Sequence, residues 1–305
     1  MEVLFLGTGA TLPSRKRNVS STAVILDESI LLFDCGEGTQ RQLMLAGCSY
    51  MKVRWIALSH FHGDHVLGVP GLVQSMQFSG RKEELTFFGP GGRSGLTHFL
   101  KSLQAAGLLN NTFPIRAVEM HDKTTHTADM GKFTLTAVDS EHNTPSVAFR
   151  LQEKERPGKF HPGRAHKLGI PSGPLFSRLQ KGMSITVNRR RITPEMVMGP
   201  PRAGYSVGYA VDTRPTANIV KLMSKVSVLV FDSTFDSGLR TKAIETKHST
   251  CVEAAVTAKQ ATAGRLYLTH ISGRYDDISV LRDQAREIFP STFVARDFLR
   301  YALRK

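Results

Sequence analysis

The feature that most constrains how this chain folds is a cluster of polar side chains at the end of an apolar run. Residues 53–58 have the length and composition of a buried strand. Directly after them, four potential metal ligands fall within six positions: His60, His62, Asp64 and His65. Residues two apart on an extended segment point to the same side, so we expect His60 and His62 to bind one ion together. The sequence therefore predicts a metal site on the turn that leaves this strand.

The spacing within the loop predicts a second metal position beside the first. Gly63 frees the backbone to turn sharply, which is expected to direct Asp64 and His65 towards a neighbouring position. Neutral imidazoles with a carboxylate suit zinc, and manganese or iron are alternatives. One histidine alone is usually a structural residue, but three histidines and an aspartate on one turn favour metal binding. The pattern His-x-His-x-Asp-His resembles the metallo-β-lactamase superfamily.

Positive charge is concentrated in one stretch of the chain. The 305 residues contain 40 Lys and Arg against 26 Asp and Glu, a formal net charge of +14. Residues 151–191 hold ten Lys and Arg against two Glu, a net +8, so the other 264 residues share +6. Such concentration is typical of a surface that binds nucleic acid. The stretch is also rich in Pro and Gly, which predicts a projecting, irregular arm at residues 152–200, inserted into one domain of residues 1–305.

The composition disfavours several classes of protein. No run of about 18 apolar residues occurs, so no membrane-spanning helix is expected. The N-terminus lacks the basic start and the apolar stretch of a signal peptide. Cys35, Cys48 and Cys251 are an odd, scattered set without Cys-x-x-Cys spacing, which favours reduced thiols in a cytoplasm over a thiolate metal site. We expect no membrane partner and no organic cofactor.

Predicted strands and helices alternate along the chain, which is typical of a layered α/β fold. Several of the strands end at a side chain that is able to bind metal or accept a hydrogen bond: Asp34, His142, Asp212 and His270. A helix is expected over residues 66–78 despite the internal Pro70. Three histidines do not follow the end of a predicted strand, and we expect them to be surface or structural residues: His98, His121 and His126.

The strand-end residues complete two metal sites. The first is expected to contain His60, His62 and His142. The second is expected to contain Asp64, His65 and His270, with the carboxylate of Asp212 shared between the two. Two zinc ions ~3.5–4 Å apart would each lower the pKa of a bound water to about 7. Asp34 ends a buried strand, where a bare carboxylate is costly, so we expect it to hold the metal loop by hydrogen bonds.

The metal ligands alone do not name the substrate, because a dinuclear site hydrolyses amides, thioesters or phosphodiesters. Cleavage of a phosphodiester needs cations near the developing charge and a proton for the leaving oxygen. The basic residues favour this reaction. His248 is the candidate general acid, since an imidazole titrates near neutral pH. The alternative for His248 is an ordinary residue near the start of a helix.

Five segments together resemble the ribonuclease Z family, the tRNA 3′-processing endonucleases of the superfamily: residues 33–40, 59–65, 211–215, 248–250 and 268–275. The resemblance covers essentially the whole chain, in the short form of the enzyme. It implies a four-layer αββα sandwich, a homodimer, and hydrolysis of precursor tRNA after the discriminator base, which leaves a 3′-hydroxyl on the tRNA and a 5′-phosphate on the trailer. It also implies that Asp64 accepts a proton from the attacking water and that His248 assists the leaving oxygen.

The resemblance further implies contacts with RNA away from the metal site. Residues 170–176 resemble the Gly-Pro motif of the family's flexible arm, with candidate contacts at Gly173, Pro174, Arg178 and Lys181. Residues 13–18 resemble its Pro-x-Lys-x-Arg-Asn loop, with candidate contacts at Arg15, Lys16 and Arg17. Arg15 stands where the family has Lys, so the charge is kept.

Two other interpretations remain open. A metallo-hydrolase of small substrates, either a thioesterase or a general phosphodiesterase, would share the metal loop but gives no reason for the basic arm. A non-catalytic RNA-binding protein on the same scaffold would explain the arm but not the full set of ligands.

Overall fold

The computed structural model describes residues 1–110, 112–120 and 125–303. His121, expected to be a surface or structural residue, lies outside them. The described chain divides into two compact units. The first comprises Met1–Met130, Leu135–Leu151 and Tyr205–Lys305, and the second comprises Gly131–Thr134 and Gln152–Gly204. The arm predicted at residues 152–200 falls within the second unit.

Two sheets of seven strands each form the main part of the described residues. The first contains β1 (Glu2–Gly7), β2 (Ser21–Leu26), β3 (Ser29–Phe33), β4 (Val53–Ala57), β5 (Leu85–Gly89) and β6 (Ile115–Glu119), with β16 (Arg300–Ala302) at the edge beside β1. The second contains β7 (His126–Asp129), β8 (Phe133–Asp139), β9 (Val147–Glu153), β12 (Ser206–Ala210), β13 (Val228–Asp232), β14 (Leu266–Thr269) and β15 (Thr292–Val294), side by side in chain order. Strands β3–β6 and β12–β15 run parallel, so their carboxyl ends lie along one edge of each sheet.

Helices cover one face of each sheet. Those that follow strands of the first sheet are α1 (Thr39–Leu45), α2 (Gly63–Val66), α3 (Gly68–Phe78) and α4 (Leu96–Ala105). Those that follow strands of the second are α7 (Ala217–Leu222), α8 (Arg240–Glu245), α9 (Cys251–Gln260) and α10 (Ser279–Ile288). Within the described residues, no helix has both the length and the apolar character needed to cross a membrane.

The two sheets pack against each other, because alternate residues of each strand point to opposite faces. Leu4 lies in the core between the first sheet and its helices, whereas its neighbour Phe5 contacts the ring of Tyr267 in the second sheet, 5.1 Å between centroids. Phe33 likewise stacks on Tyr209 of the second sheet at 4.8 Å. The layers are therefore helix, sheet, sheet and helix, and the predicted αββα sandwich is confirmed.

The prediction of one helix over residues 66–78 is wrong at its start. The chain forms α2, breaks at Leu67 and begins α3 at Gly68. Pro70 is tolerated because it lies in the first turn of α3, where backbone N–H groups have no acceptor within the helix. Gly68 is required there, since a Cβ would come within 2.1 Å of the carbonyl oxygen of Gly36. The chain does turn at Gly63, where it enters α2 and the backbone N–H of His65 donates to the carbonyl oxygen of His62 at 3.0 Å. It does so without the positive φ that glycine tolerates best.

The second unit is a folded element and not the irregular insertion that its Pro and Gly content predicted. It contains α5 (Pro162–Lys167), α6 (Pro174–Gln180) and an antiparallel hairpin of β10 (Ile185–Val187) and β11 (Arg190–Ile192). These short elements bury an apolar core of their own, made of Ala165, Ile170, Leu179, Ile185, Ile192 and Val197. The prolines start the two helices, where proline is favoured, and so they delimit structure without preventing it.

The cysteines carry no disulfide in the described residues, where all three lie. Burial raises the pKa of the Cys35 and Cys251 thiols to about 12. Both thiols are therefore protonated and unreactive near neutral pH.

Candidate metal centre and active site

The seven predicted metal ligands all lie at the ends of strands, and the structure brings them into one cluster. The loop with four of them follows β4, and the other three follow β8, β12 and β14: His142, Asp212 and His270. Asp212 and His270 have φ angles of 46° and 57°, in the left-handed region that residues with a Cβ rarely adopt. Asp34, after β3, has the same geometry with φ 57°. Strain of this kind at strand ends is typical of functional sites.

One half of the cluster is formed by the first predicted set of ligands. Nδ1 of His62 lies 3.0 Å from Nε2 of His60 and 3.3 Å from Nε2 of His142. Oδ2 of Asp212 lies 3.6 Å from Nε2 of His60 and 3.8 Å from Nε2 of His142. Three ring nitrogens and one carboxylate oxygen thus surround a common point.

The other half is formed by the second set. Oδ2 of Asp64 lies 3.3 Å from Nε2 of His65 and 3.4 Å from Nε2 of His270. Oδ1 of Asp212 lies 3.3 Å from Nε2 of His65 and 3.1 Å from Nε2 of His270. Asp212 therefore directs one carboxylate oxygen to each half of the cluster, as expected of a ligand shared by two ions.

The cluster fits divalent metal ions. Tetrahedral zinc with bonds of about 2.0–2.1 Å places its ligand atoms about 3.3 Å apart, close to the spacing seen in both halves. Nε2 of His65 and Oδ1 of Asp212 are buried and have no hydrogen-bond partner among the described residues. Buried polar atoms of this kind are costly unless something pairs with them. Metal ions at the centre of the cluster would satisfy both atoms.

The pKa shifts of the side chains in the cluster also favour the binding of a cation. Burial and the neighbouring His65 hold the pKa of His60 well below its usual value, which keeps its ring in the neutral form that binds metal. Burial alone would raise the pKa of Asp212, but His270 and His65 hold it well below its usual value. His65 lies between two carboxylates, and Asp212 and Asp34 raise its pKa well above the usual value although burial opposes them. The carboxylates thus favour positive charge here, which a metal ion supplies.

Hydrogen bonds on the far side of the rings orient the ligands. Nδ1 of His65 donates to Oδ2 of Asp34 at 2.7 Å, and the same carboxylate accepts bonds from the backbone N–H and the hydroxyl of Ser59 at 2.7 and 2.9 Å. Nδ1 of His142 donates to the carbonyl oxygen of Lys247 at 3.3 Å. Nδ1 of His270 lies 2.9 Å from the hydroxyl of Thr234. Such contacts fix ring orientation and tune metal affinity.

His248 lies beside the cluster and is held by a buried carboxylate. Its ring stacks on that of His270 with 5.2 Å between centroids. Its Nδ1 lies 3.0 Å from Oδ2 of Asp232, which is fully buried. Burial alone would lower the pKa of His248, but Asp232 raises it to about 9. The ring is therefore protonated near neutral pH and is able to donate a proton.

Asp232 is a site residue that the sequence pattern did not bring to notice. It is the last residue of β13, after residues 226–231, which are apolar except for Ser227. Asp34 has a similar place, one residue beyond the end of β3. Its Oδ1 accepts a bond from the backbone N–H of Thr234 at 2.9 Å and its Oδ2 one from that of Thr213 at 3.2 Å. The feature of the sequence that indicates this site residue is an aspartate at the end of a buried strand.

A cleft of about 610 Å³ opens onto the cluster. Asp64, His142 and His248 line it, and the apolar side chains of Leu12 and Leu67 form part of its wall. Leu12 and Leu67 are 73% and 62% exposed, so the entrance offers both apolar surface and charged groups to a substrate.

The predicted RNA contacts near the cleft differ among themselves. Arg15 and Lys16 are exposed, and Nζ of Lys16 lies 3.1 Å from a carboxylate oxygen of Asp276. Arg17 is turned inward, where its guanidinium donates to the hydroxyl of Thr8 at 2.6 Å and to the carbonyl oxygen of Ala295 at 2.8 Å. The structure therefore gives Arg17 a role in fixing the loop, and a direct contact between Arg17 and RNA stays a prediction.

The four remaining predicted contacts lie in the second unit. Gly173 precedes α6 with φ 137°, a conformation that favours glycine, and Pro174 is the first residue of that helix. Arg178 and Lys181 are exposed, as are three consecutive arginines at and beside β11, Arg189, Arg190 and Arg191. This surface is available to a polyanion.

The four-layer sandwich and the strand-end cluster define a metal-dependent hydrolase of the metallo-β-lactamase fold. Solved structures agree: human tRNase Z, short form, superimposes with a TM-score of 0.71 at 25% identity over 100% of both chains. The Bacillus subtilis metallo-β-lactamase fold protein YhfI does so with a TM-score of 0.70 at 18% identity over 98% of both chains, which supports the fold alone.

Sequence relatives define the family. Ribonuclease Z of Methanosarcina mazei is 42% identical over 300 residues, covering 98% of this chain and 97% of that protein. Ribonuclease Z of Bacillus subtilis is 39% identical over 305 residues, with 98% of each chain covered. The chain belongs to the ribonuclease Z family, as its motifs predicted. A family model described as anti-Pycsar protein Apyc1 matches residues 1–155, so the first half of the chain belongs to that family as well.

Proposed function

We propose that this chain removes the 3′ trailer from precursor tRNA. It hydrolyses the phosphodiester after the discriminator base, leaving a 3′-hydroxyl on the tRNA and a 5′-phosphate on the trailer. The observation that carries the proposal is the pair of half-sites joined by Asp212 with His248 beside them, in a chain similar over nearly its full length to proteins named ribonuclease Z.

The cluster would hold two zinc ions, with manganese or iron as alternatives. His60, His62 and His142 would hold the first ion. Asp64, His65 and His270 would hold the second, and each ion would take one oxygen of Asp212. When bound, such a pair of ions activates water for attack and neutralises charge on the phosphoryl oxygens.

Two side chains move protons in the proposed reaction. Burial raises the pKa of Asp64, but hydrogen bonds from His270 and His65 hold it far below the usual range, so the carboxylate is ionised. Its role as acceptor of the proton of the attacking water is the one that the resemblance to the family implies. The backbone N–H of Thr11 donates to Oδ2 of Asp64 at 2.9 Å and helps to orient it. His248, protonated because of Asp232, donates its proton to the leaving 3′ oxygen.

The second unit would bind the body of the tRNA as an arm of residues 152–200 inserted into one domain of residues 1–305. Residues 152–204 contain eleven Lys and Arg against three Glu. The contacts would come from Gly173, Pro174, Arg178 and Lys181, and near the cleft from Arg15 and Lys16. Phosphate contacts of this kind give most of the affinity of a protein for nucleic acid.

The proposed assembly is a homodimer that acts in the cytoplasm. Exposed apolar side chains on α1 and at the end of α3 support the dimer, because Met44, Leu45 and Phe78 are 62%, 57% and 86% exposed. Exposed apolar side chains on two helices that contact each other are available to an interface between two copies of the chain. The scattered free cysteines fit a reducing compartment.

The decisive experiment is to incubate the protein with a 3′-extended tRNA and map the cut end at nucleotide resolution. Cleavage directly after the discriminator base is expected. A thioester and bis(p-nitrophenyl) phosphate, assayed in parallel, test the small-substrate alternatives, and elemental analysis for metal tests the non-catalytic one. Turnover of a small substrate without any cleavage of precursor tRNA would refute the proposal.

A further inference from the structure

Arg214 and Glu253 form an ion pair directly behind His248. Nη1 of Arg214 donates to the backbone carbonyl oxygen of His248 at 2.5 Å and to Oε2 of Glu253 at 2.8 Å, while Nη2 donates to Oε1. The side chains are only 11% and 14% exposed. Two parallel bonds fix the plane of the guanidinium, which a single contact does not do.

Glu253 is itself fixed, because it takes part in the start of α9. The hydroxyl of Thr250 accepts a bond from the backbone N–H of Glu253 at 3.2 Å, and Oε2 of Glu253 accepts one from the backbone N–H of Thr250 at 3.0 Å. This reciprocal arrangement is a capping box. The helix begins three residues after His248, so the ion pair and the cap together determine the position of the backbone that carries the imidazole.

Arg214 belongs to the loop that carries Asp212, the residue shared by the two half-sites. Its backbone N–H donates to the carbonyl oxygen of Glu141 at 3.1 Å, which joins this loop to the one with His142. Arg214 therefore links the backbone of His248, through its guanidinium, to two loops that carry metal ligands: its own loop, with Asp212, and the loop with His142, through its backbone N–H. Among the described residues, neither Arg214 nor Glu253 lines the cleft, whereas His248 does.

We propose that Arg214 and Glu253 are positioning residues that hold His248 at the right place to protonate the leaving oxygen. Asp232 fixes the ring of His248 from Nδ1, and the Arg214–Glu253 pair fixes its backbone. The two constraints together determine where Nε2 points. The inference rests on the proposed function, since it assigns a rate effect to the general acid of that reaction.

The test compares leaving groups. The 3′ oxygen of RNA leaves as a strongly basic alkoxide and needs a proton, whereas the p-nitrophenolate of bis(p-nitrophenyl) phosphate leaves without one. In Glu253→Gln, which keeps the side-chain size but removes the charge, we expect kcat for precursor tRNA to fall by at least about tenfold, within the range that general acids contribute. KM for precursor tRNA, metal content and turnover of the aryl ester should be unchanged.

A matched control is Glu28→Gln, which breaks an exposed ion pair with Lys52 of 3.3 Å far from the helix cap of α9. It should leave both activities unchanged. The double variant His248→Ala with Glu253→Gln should be no slower on precursor tRNA than His248→Ala, because the pair acts through that imidazole. Arg214→Lys gives an independent measurement if Glu253→Gln folds poorly, and it should show the same selective loss.

An equal fall in both activities would overturn the inference, because it would mean that the pair maintains the metal site. Unchanged cleavage of precursor tRNA in both variants would overturn it as well. Failure of the unmodified protein to cleave precursor tRNA, with hydrolysis of the aryl ester intact, would refute the proposed function instead. The two failures are therefore distinguishable.

Discussion

The hydroxyl of Tyr209 donates a hydrogen bond of 2.8 Å to Oδ2 of Asp34, across 175 positions of sequence and from one sheet to the other. Burial, together with the charge of Asp34, raises the pKa of Tyr209 well above its usual value, so the hydroxyl keeps its proton. The same carboxylate oxygen accepts the bond from His65. The orientation of a metal ligand on the first sheet thus depends on a side chain of the second.

Removal of this hydrogen bond should weaken both the fold and metal binding. In Tyr209→Phe we expect the free energy of unfolding of the metal-free protein to fall by about 1.5–3 kcal/mol, because a buried carboxylate loses a donor. Metal affinity should fall by about 10- to 100-fold. Urea denaturation and a metal titration measure the two effects. Tyr50→Phe is the control, since its hydroxyl bonds to Ser79 at the exposed surface and its removal should change neither quantity.

The pH dependence of cleavage should report on His248. Its pKa is raised to about 9, so the proton is present below that pH and activity is lost as the pH rises through it. Asp232→Asn removes the charge that raises the pKa, and the fall in kcat should then move down towards the unperturbed value of about 6.5. Pre-steady-state cleavage of precursor tRNA from pH 5 to 10 measures this. If kcat of Asp232→Asn falls at the same alkaline pH as kcat of the unmodified protein, His248 is not the titrating group.

Because the backbone of His270 is left-handed, the usual order of stability of alanine and glycine variants should be reversed at this position. A glycine tolerates this conformation while an alanine is strained by about 1 kcal/mol, so His270→Gly should be more stable than His270→Ala in the metal-free protein. His142 has ordinary backbone angles, and there the glycine variant should be the less stable because it loses more entropy on folding. Thermal denaturation of the four variants tests this. All four should lack activity.

Loss of one ligand should separate chemistry from RNA binding. His62→Ala removes a donor that lies within 3.3 Å of two others, so metal content and cleavage should both fall sharply. Binding of precursor tRNA should persist, because the second unit is unaffected. Elemental analysis, a cleavage assay and filter binding measure the three quantities. Turnover at the unmodified rate in a metal-depleted sample of this variant would contradict the assignment of the site.

Neutralising charges of the second unit should weaken RNA binding and spare the chemistry. In the combined variant Arg178→Ala with Lys181→Ala we expect a higher Kd for precursor tRNA. The slope of log K against log salt should become shallower by about 0.7–0.9 for each phosphate that the protein no longer neutralises. Hydrolysis of bis(p-nitrophenyl) phosphate should not change. The control is Lys259→Ala on α9 of the first unit, which should alter neither the Kd nor the slope.

The parts of the fold that depend on local pattern were predictable from the sequence. Apolar runs that end at Asp34, Asp212 and His270 marked strands with functional ends, and their alternation with helices gave the layered fold. Asp232 ends a strand in the same way, but the sequence alone indicates no role for it. The need for glycine at position 68 was not predictable, because the carbonyl oxygen that a Cβ would meet belongs to Gly36, which is distant in sequence.

Interactions that depend on distant packing were not predictable. The bond between Tyr209 and Asp34 joins two sheets, and no periodicity in either segment indicates it. Arg17 looked like its exposed neighbours in sequence, but Thr8 and the carbonyl of Ala295 draw it inward. The helices of the second unit were not predictable, because with six and seven residues they are too short to show a clear apolar repeat.

The second unit buries an apolar core that uses only its own residues. Its stability is therefore set locally, and it is free to change in sequence, to enlarge or to be lost in a descendant without altering the carboxylates and imidazoles at the strand ends. In this sense, recognition of a large substrate and cleavage of its phosphodiester bond depend on separate parts of the chain. We expect a relative without the insertion to keep the metal ligands at the strand ends and to lose the basic surface that is proposed to bind tRNA.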